Sequence, residues 1–314
     1  MARTLCSIVL LTCLACPALS GAQASASSPS DVTVTVTVVN HRPSAASAPR
    51  LTKGDVVVRQ NGNVRPVLAW EPLAGSSAGI DLAVLVDDSL QQSVALQWKD
   101  VAGFIRLLPE NSRVAIAYGR YGGATMVQPF TSDRELAIKS LRIPMGSINE
   151  GASIYLSLAD LNHRWPADGR RHMVLLISDG IDLFYGVADS EPGLNRNLQQ
   201  AIDQSQKDGV VVDAIFASGA SHFSRNFFLV NNGQGCLARL ALETGGTAYT
   251  SPFETPVSFT PYLRQITASL ADMYRLTFQA ALPAKAGFAR IRLSAEPQGI
   301  ELFGPSRVYL PAAH

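Results

Sequence analysis

The sequence predicts an α/β fold: a doubly wound, mainly parallel sheet with helices on both faces, and a small β-sandwich-like module built from both chain ends. Three observations predict it. Ile80–Val86 and His172–Ser178 are nearly unbroken apolar runs without alternation, as expected of strands buried on both faces. From Ile80 to Met273 such runs alternate with segments of helical spacing, the βαβα order that builds a parallel sheet. On either side of that stretch the chain returns to strand-like patterning, so the two ends are expected to pair with each other, with two separate small sheets as the alternative.

The elements follow in order. Asp31–Asn40 (DVTVTVTVVN) alternates valine and threonine, a period-two strand. His41–Pro49 is a Pro/Ser/Ala loop. Asn61-Gly62-Asn63 is a turn that pairs Val56–Arg59 with Val64–Trp70 as a hairpin. Leu73–Gly79 is a linker. After Ile80–Val86, the residues Val94, Trp98, Val101, Ile105 and Leu108 mark an amphipathic helix. Arg113–Tyr118 and Thr125–Phe130 are strands about a Gly119–Gly123 turn, and Ser132-Asp133 opens a helix. Gly146–Ser153 is a polar loop, and Ile154, Leu158, Leu161 and Trp165 give the next helix. A helix over Leu194–Lys207 leads to the strand Val210–Phe216. Ala217–Asn232 reads as a polar and aromatic loop, Leu237–Glu243 as a helix stopped by Gly245-Gly246, and Thr247–Thr250 as an edge strand. Ile266, Leu270 and Met273 lie on the last helix. Strands are expected at Tyr274–Ala280, Ala289–Ala295, Ile300–Phe303 and Arg307–Leu310. The domain division expected is a leader over residues 1–24, an N-terminal β segment over 25–78, the α/β domain over 79–273, and a C-terminal β segment over 274–314 that packs on 25–78.

Composition narrows the function classes. Of 314 residues, 47% are hydrophobic and 16% charged, enough apolar material for a large core. Met1-Ala2-Arg3, the apolar stretch Leu5–Leu19 and the small-x-small signal Ala22-Gln23-Ala24 form a secretory signal peptide, which predicts a secreted or periplasmic protein. Leu14-Ala15-Cys16 matches a lipid-anchor signal only in part. No later stretch is apolar for long enough to span a membrane. Arg3 is the only charged residue of the leader, so the mature chain has 25 basic and 25 acidic side chains. That balance argues against nucleic acid as a partner. Cys6, Cys13 and Cys16 leave with the leader, and Cys236 remains within a helical pattern as a packing thiol.

The chemistry gathers where the apolar runs end. Ile80–Val86 stops in Asp87-Asp88-Ser89, and His172–Ser178 stops in Asp179-Gly180. In open α/β sheets the carboxyl ends of the strands are where ligands bind. Two buried strands tipped with aspartate predict two carboxylates side by side at that edge. Plainer roles exist for the same residues: Asp87 and Asp88 as caps of the helix that follows, and Asp179 as a turn residue.

LAVLVDDSLQQS, EGASIYLSL, VLLISDG and LARLALETGG, in this order and spacing, resemble the von Willebrand factor type A (VWA) domain. Leu51-Thr52-Lys53-Gly54-Asp55-Val56 resembles the phrase that precedes the domain in a secreted bacterial branch, and the resemblance spans about residues 31–312. It implies a Rossmann-like fold and a metal-ion-dependent adhesion site. That site takes an Asp-x-Ser-x-Ser loop, a threonine and a further aspartate, and binds Mg²⁺, Mn²⁺ or Ca²⁺. A hard cation takes about six oxygens, and one position is left for an acidic group of a partner. Asp87 and Ser89 match the first two places, Gln91 stands in the third, and Asp179 matches the last. Ala152 occupies the threonine place, and a one-residue slip brings Ser153 there; Asn149 and Glu150 are further donors in that loop. The metal ligands expected from the resemblance are thus Asp87, Ser89, Gln91, Ser153 and Asp179.

The function expected is a binding or adhesion module, not an enzyme, that recognises a protein or peptide through this degenerate site. A structural module without a working ion site is the first alternative. A metal-assisted hydrolase using Asp87 and Asp179 is the second, although no nucleophile elbow, P-loop or His-Glu-x-x-His accompanies it. The loops Ile181–Pro192 and Ser218–Asn232 carry Phe184, Tyr185, Phe223, Phe227 and Phe228 beside the expected site and are read as its partner surface.

Overall fold

The computed structural model describes residues 30–41, 50–146, 153–250 and 258–313. The leader, most of the His41–Pro49 loop, and Asn149, Glu150 and Ala152 lie outside them. Four strands come first: β1 (Asp31–Asn40), β2 (Val56–Gln60), β3 (Asn63–Arg65) and β4 (Val67–Pro72). Next are β5 (Ile80–Asp87), α1 (Trp98–Arg106), β6 (Arg113–Arg120), β7 (Gly123–Thr131), α2 (Arg134–Lys139) and α3 (Ile154–Leu161). After these come β8 (Arg171–Ser178), α4 (Arg196–Lys207), β9 (Val210–Phe216), α5 (Phe227–Thr244), β10 (Ala248–Tyr249) and α6 (Thr260–Ala271). The last strands are β11 (Met273–Gln279), β12 (Gly287–Ala295), β13 (Ile300–Phe303) and β14 (Arg307–Leu310).

The central sheet has the order β10-β9-β8-β5-β6-β7. All its pairs are parallel except β6 with β7, which turn back on each other through Tyr121-Gly122. Strand β5 is buried at every position, so its side chains face two separate cores. Leu82, Val84 and Val86 pack with residues of α1 and α6, whereas Ala83 and Leu85 pack with α3, α4 and α5. This is why the sequence shows a continuous apolar run and no alternation. The chain leaves β5 toward β6 on one side and returns as β8 on the other. The crevice at the carboxyl ends of β5 and β8 is therefore the switch point of the sheet.

The chain ends form one module, as the patterning predicts. One antiparallel sheet has the order β13-β1-β11-β4 and the other β14-β12-β2-β3. Each mixes strands from both ends: Asp31 pairs with Gln279 and Thr37 with Met273, while Val56 pairs with Ala295. Val34, Val36, Val56, Val58, Leu276, Phe278, Ile291 and Leu310 are buried between the two sheets.

Three expectations need correction. The hairpin partner of β2 is the short β3, not Val64–Trp70. Pro66 has no N–H for the ladder, and beyond it β4 pairs with β11 in the other sheet. Residues 227–232 are not loop: they open α5, whose 18 residues start after Asn226, which caps Leu229 N at 3.2 Å. Two glycines and two asparagines hide this helix from propensity. Met273 begins β11, because α6 ends at Ala271.

One buried acid of the sheet is only half satisfied. Asp213 on β9 shares the face of Val211 and Ile215, is 4% exposed, and accepts the Thr247 N–H at 2.8 Å through Oδ1. Its Oδ2 has no hydrogen-bond partner among the described residues. Burial raises its pKa to about 6. A raised acid contributes stability that is complete below about pH 3.8 and lost as pH rises through about 6. Asp213→Asn should therefore be the more stable protein at pH 8, by on the order of 2 kcal/mol after the unpaired amide N–H is offset, and lose that advantage at pH 4. Urea midpoints at the two pH values check this.

Candidate cation site at the sheet edge

Parallel pairing places Val86 opposite Ile177, so Asp87 and Asp179 leave neighbouring strands at the same edge. Both are 6% exposed. Asp87 Oδ1 accepts the Ser89 hydroxyl at 2.6 Å and its N–H at 3.0 Å, and Oδ2 accepts the Ser178 hydroxyl at 2.7 Å. Asp179 Oδ2 accepts the Ser221 hydroxyl at 2.6 Å, and Oδ1 accepts the Ile181 N–H at 3.0 Å. All these donors are neutral, and among the described residues neither carboxylate has a cationic side chain within ion-pair distance.

Two other buried aspartates at this sheet are paired with arginine. Asp88 is gripped by both Arg142 nitrogens at 2.7 and 2.9 Å, and Asp81 by Arg113 at 2.7 and 2.6 Å. Burial, and then the Asp87 charge, raise the Asp179 carboxyl to about 7. Burial likewise raises Asp87. Two buried carboxylates that disfavour each other's charge are short of one positive charge.

The crevice is built by close packing. Gly180 has φ +68°, and a Cβ there would sit 2.4 Å from Gly233 O; a Cβ on Gly233 would sit 2.2 Å from Asp179 O. Helix α5 thus presses its backbone directly on the turn that carries Asp179. Tyr155 of α3 donates its hydroxyl to Gly180 O at 2.7 Å and holds the other side.

The strand order and the aspartate at the tip of each central strand decide the fold. It is the doubly wound order with one antiparallel edge strand that the resemblance to the von Willebrand factor type A domain implies.

The chain matches no protein-family model and no curated protein. Among solved structures it is similar to BatB from Bacteroides thetaiotaomicron, at 13% identity over 62% of this chain and 97% of that one, TM-score 0.44. It is also similar to the vWF domain of the type V pili tip protein Mfa5 from Porphyromonas gingivalis, at 12% identity over 61% and 95%, TM-score 0.44. A von Willebrand factor type A protein from Catenulispora acidiphila is similar at 13% identity over 93% and 76%, TM-score 0.41.

The five expected ligands divide. Asp87, Ser89 and Asp179 lie at the carboxyl ends of β5 and β8, where Ser178 donates to Asp87 and Ser221 to Asp179, two hydroxyls that the resemblance did not single out. Ser178 was legible as the last residue of its run; nothing in the sequence points to Ser221. Gln91 is exposed and bound to the opposite loop, its N–H reaching Ala220 O at 2.8 Å and its side-chain amide reaching Ser221 O at 3.2 Å. It ties two loops together. Ser153 caps α3, accepting Leu156 N at 3.4 Å, and donates its hydroxyl to Asp182 at 2.8 Å, so its proton goes to neither Asp87 nor Asp179. Asp87 and Asp88 cap no helix: Gln91 precedes the 3-10 turn and Gln97 precedes α1. Asp179 does close a turn, through Ile181 N, and serves the crevice as well.

Every donor in the crevice is a hard oxygen. The set suits Mg²⁺, Mn²⁺ or Ca²⁺, with Asp87 and Asp179 as the charged ligands and serine hydroxyls and water completing the shell. Among the described residues no group of three or more His, Cys, Asp or Glu side chains is arranged around a common point. Beside the crevice lies an open depression of about 700 Å³ lined by Gln91, His222, Phe223, Arg225, Asn226 and Phe227. Phe227 is 74% exposed.

Proposed function

We propose that this chain is a secreted or periplasmic binding module, without catalytic turnover, that holds a divalent cation between Asp87 and Asp179. Through the cation it captures an acidic side chain of a protein or peptide partner. The observation that carries the reading is the uncompensated carboxylate pair. A protein that gives Arg142 to Asp88 and Arg113 to Asp81 leaves these two, at the same sheet edge, with only hydroxyl and amide donors. Two carboxylates neutralise a divalent ion and leave coordination positions for a third. Arg225 and Phe227 at the rim of the adjoining depression suit an acidic partner with an apolar residue nearby. Among the described residues no helix is long and apolar enough to cross a membrane.

A second reading is a structural module in which one proton, shared within the pair, takes the place of the ion. The raised Asp179 pKa favours it. Calorimetric titration with Mn²⁺ and Mg²⁺ at pH 7.5 separates the two. Saturable heat in the wild type, lost in Asp179→Ala with the fold intact by circular dichroism, supports the ion. No heat in either protein supports the shared proton.

A further inference from the structure

The outer face of the sheet β14-β12-β2-β3 carries a block of arginines that the cation site does not use. On β12, Ala289 and Ile291 face the sandwich core, so Arg290 and Arg292 point outward. The same alternation turns Arg59 outward on β2 and Arg307 outward on β14. Register then sets like charges directly opposite each other: Arg292 faces Arg59, and Arg290 faces Arg307. Like charges directly opposite across strands are destabilising.

Neutralisation stops at one corner of the block. Arg307 takes Asp203 at 2.6 Å and lies 3.7 Å from Glu243, which Arg239 of α5 also binds at 2.8 Å. Among the described residues no carboxylate lies within ion-pair distance of Arg59, Arg290 or Arg292, all three of them exposed. These side chains line one wall of a groove of about 970 Å³ between the sheet and α5, with Leu242, 62% exposed, on the opposite wall. The whole chain has a net charge of only +1, so this concentration is local and not a result of general basicity.

We propose that this groove is a second docking surface, for an extended acidic segment of a partner protein whose carboxylates fall on alternate residues. Guanidinium groups bind carboxylates with two parallel hydrogen bonds. Alternate residues of any extended strand are about 6.8 Å apart, so an acid-x-acid segment lying along β12 repeats at the spacing of Arg290 and Arg292. Leu242 offers an apolar contact that a polyanionic sugar has no group to fill, and a nearly neutral chain has no wide field to attract a highly charged polymer.

The test uses the mature chain and a fluorescein-labelled peptide of alternating glutamate and valine, read by anisotropy at low salt. The controls are a peptide with the same glutamates in one contiguous block and a heparin oligosaccharide. The alternating peptide should bind more tightly than the block. The R290Q/R292Q double variant should weaken it by about tenfold or more, the loss of two charge-assisted contacts. Asp179→Ala and chelator should leave it unchanged, which separates this surface from the cation site. Because the substitutions relieve facing charges, the double variant should melt no lower than the wild type. No binding by the alternating peptide, equal binding by the variant, or arginine-dependent binding of heparin in preference to either peptide would overturn the proposal.

Discussion

Asp179→Asn is expected to melt higher than the wild type in chelator at pH 8, and lower than the wild type once Mn²⁺ is added. The first half follows from the pair. Burial and the Asp87 charge raise Asp179 from 3.8 to about 7. For a raised acid, stability is fully present below the unfolded value and is lost as pH climbs through the folded one. Ionising both carboxylates in the metal-free protein therefore costs on the order of 3 kcal/mol above pH 7, and the neutral amide removes most of that. The decline in wild-type stability between about pH 4 and pH 7 should flatten in the variant, apart from the part due to Asp213. The second half follows from mass action. An ion at about a hundred times its dissociation constant adds roughly 2.7 kcal/mol to a protein that binds it, and the variant has lost one of its two charged ligands. Melting curves in EDTA and in MnCl₂ should cross. Parallel curves would mean that the pair holds a proton and no ion.

Gly233→Ala should destabilise the fold by about 3 kcal/mol and weaken any cation binding with it, because the new methyl group has no room. It would fall 2.2 Å from Asp179 O and 2.9 Å from the Ile181 side chain. Relief requires α5 to move off the turn or the turn to move off α5, and Asp179 travels with that turn. Gly103→Ala is the control. It also lies within a helix, but its Cβ would meet nothing within 4 Å, so it should stabilise by about 0.5–1 kcal/mol through helix propensity. Urea unfolding of the three proteins, followed by Mn²⁺ titration of each, checks both the cost and its link to the site. A Gly233→Ala protein as stable as the wild type would show that α5 does not fix Asp179.

The central fold was legible because burial on two faces writes itself into composition. Ile80–Val86, His172–Ser178 and Val210–Phe216 needed no partner to be read as interior strands. The ends were legible for the opposite reason: Asp31–Asn40 alternates because one of its faces is covered. Helix α5 was misread at its start. Asn231, Asn232, Gly233 and Gly235 are poor helix formers, and their helix is packed on residues remote in sequence: Gly233 on the turn at Asp179, Asn232 on Ser190 and Gly235 on Pro192. The hairpin is cut short for a local reason, Pro66, whose missing N–H ends the ladder.

The site was legible in its charges and obscure in its connections. An apolar run that ends in aspartate is visible in one dimension, so Asp87 and Asp179 were found together. Asp88 has the same residue type and a neighbouring position, yet its charge is cancelled by Arg142, 54 positions further along. Gln91 and Ser153 sit where a ligand pattern places them, and the fold uses one to join two loops and the other to cap α3 and bind Asp182.

By itself the sequence determined which strands are interior, that the chain ends are β-structured, and that two aspartates reach one edge of the sheet. These are properties of hydrophobic spacing, which acts along the chain. The tertiary structure alone decided which aspartates stay uncompensated, which hydroxyls face them, and that arginines from β2, β12 and β14 meet on one face. Charge balance and close approach depend on distances in space between residues remote in sequence, and no local pattern encodes those distances.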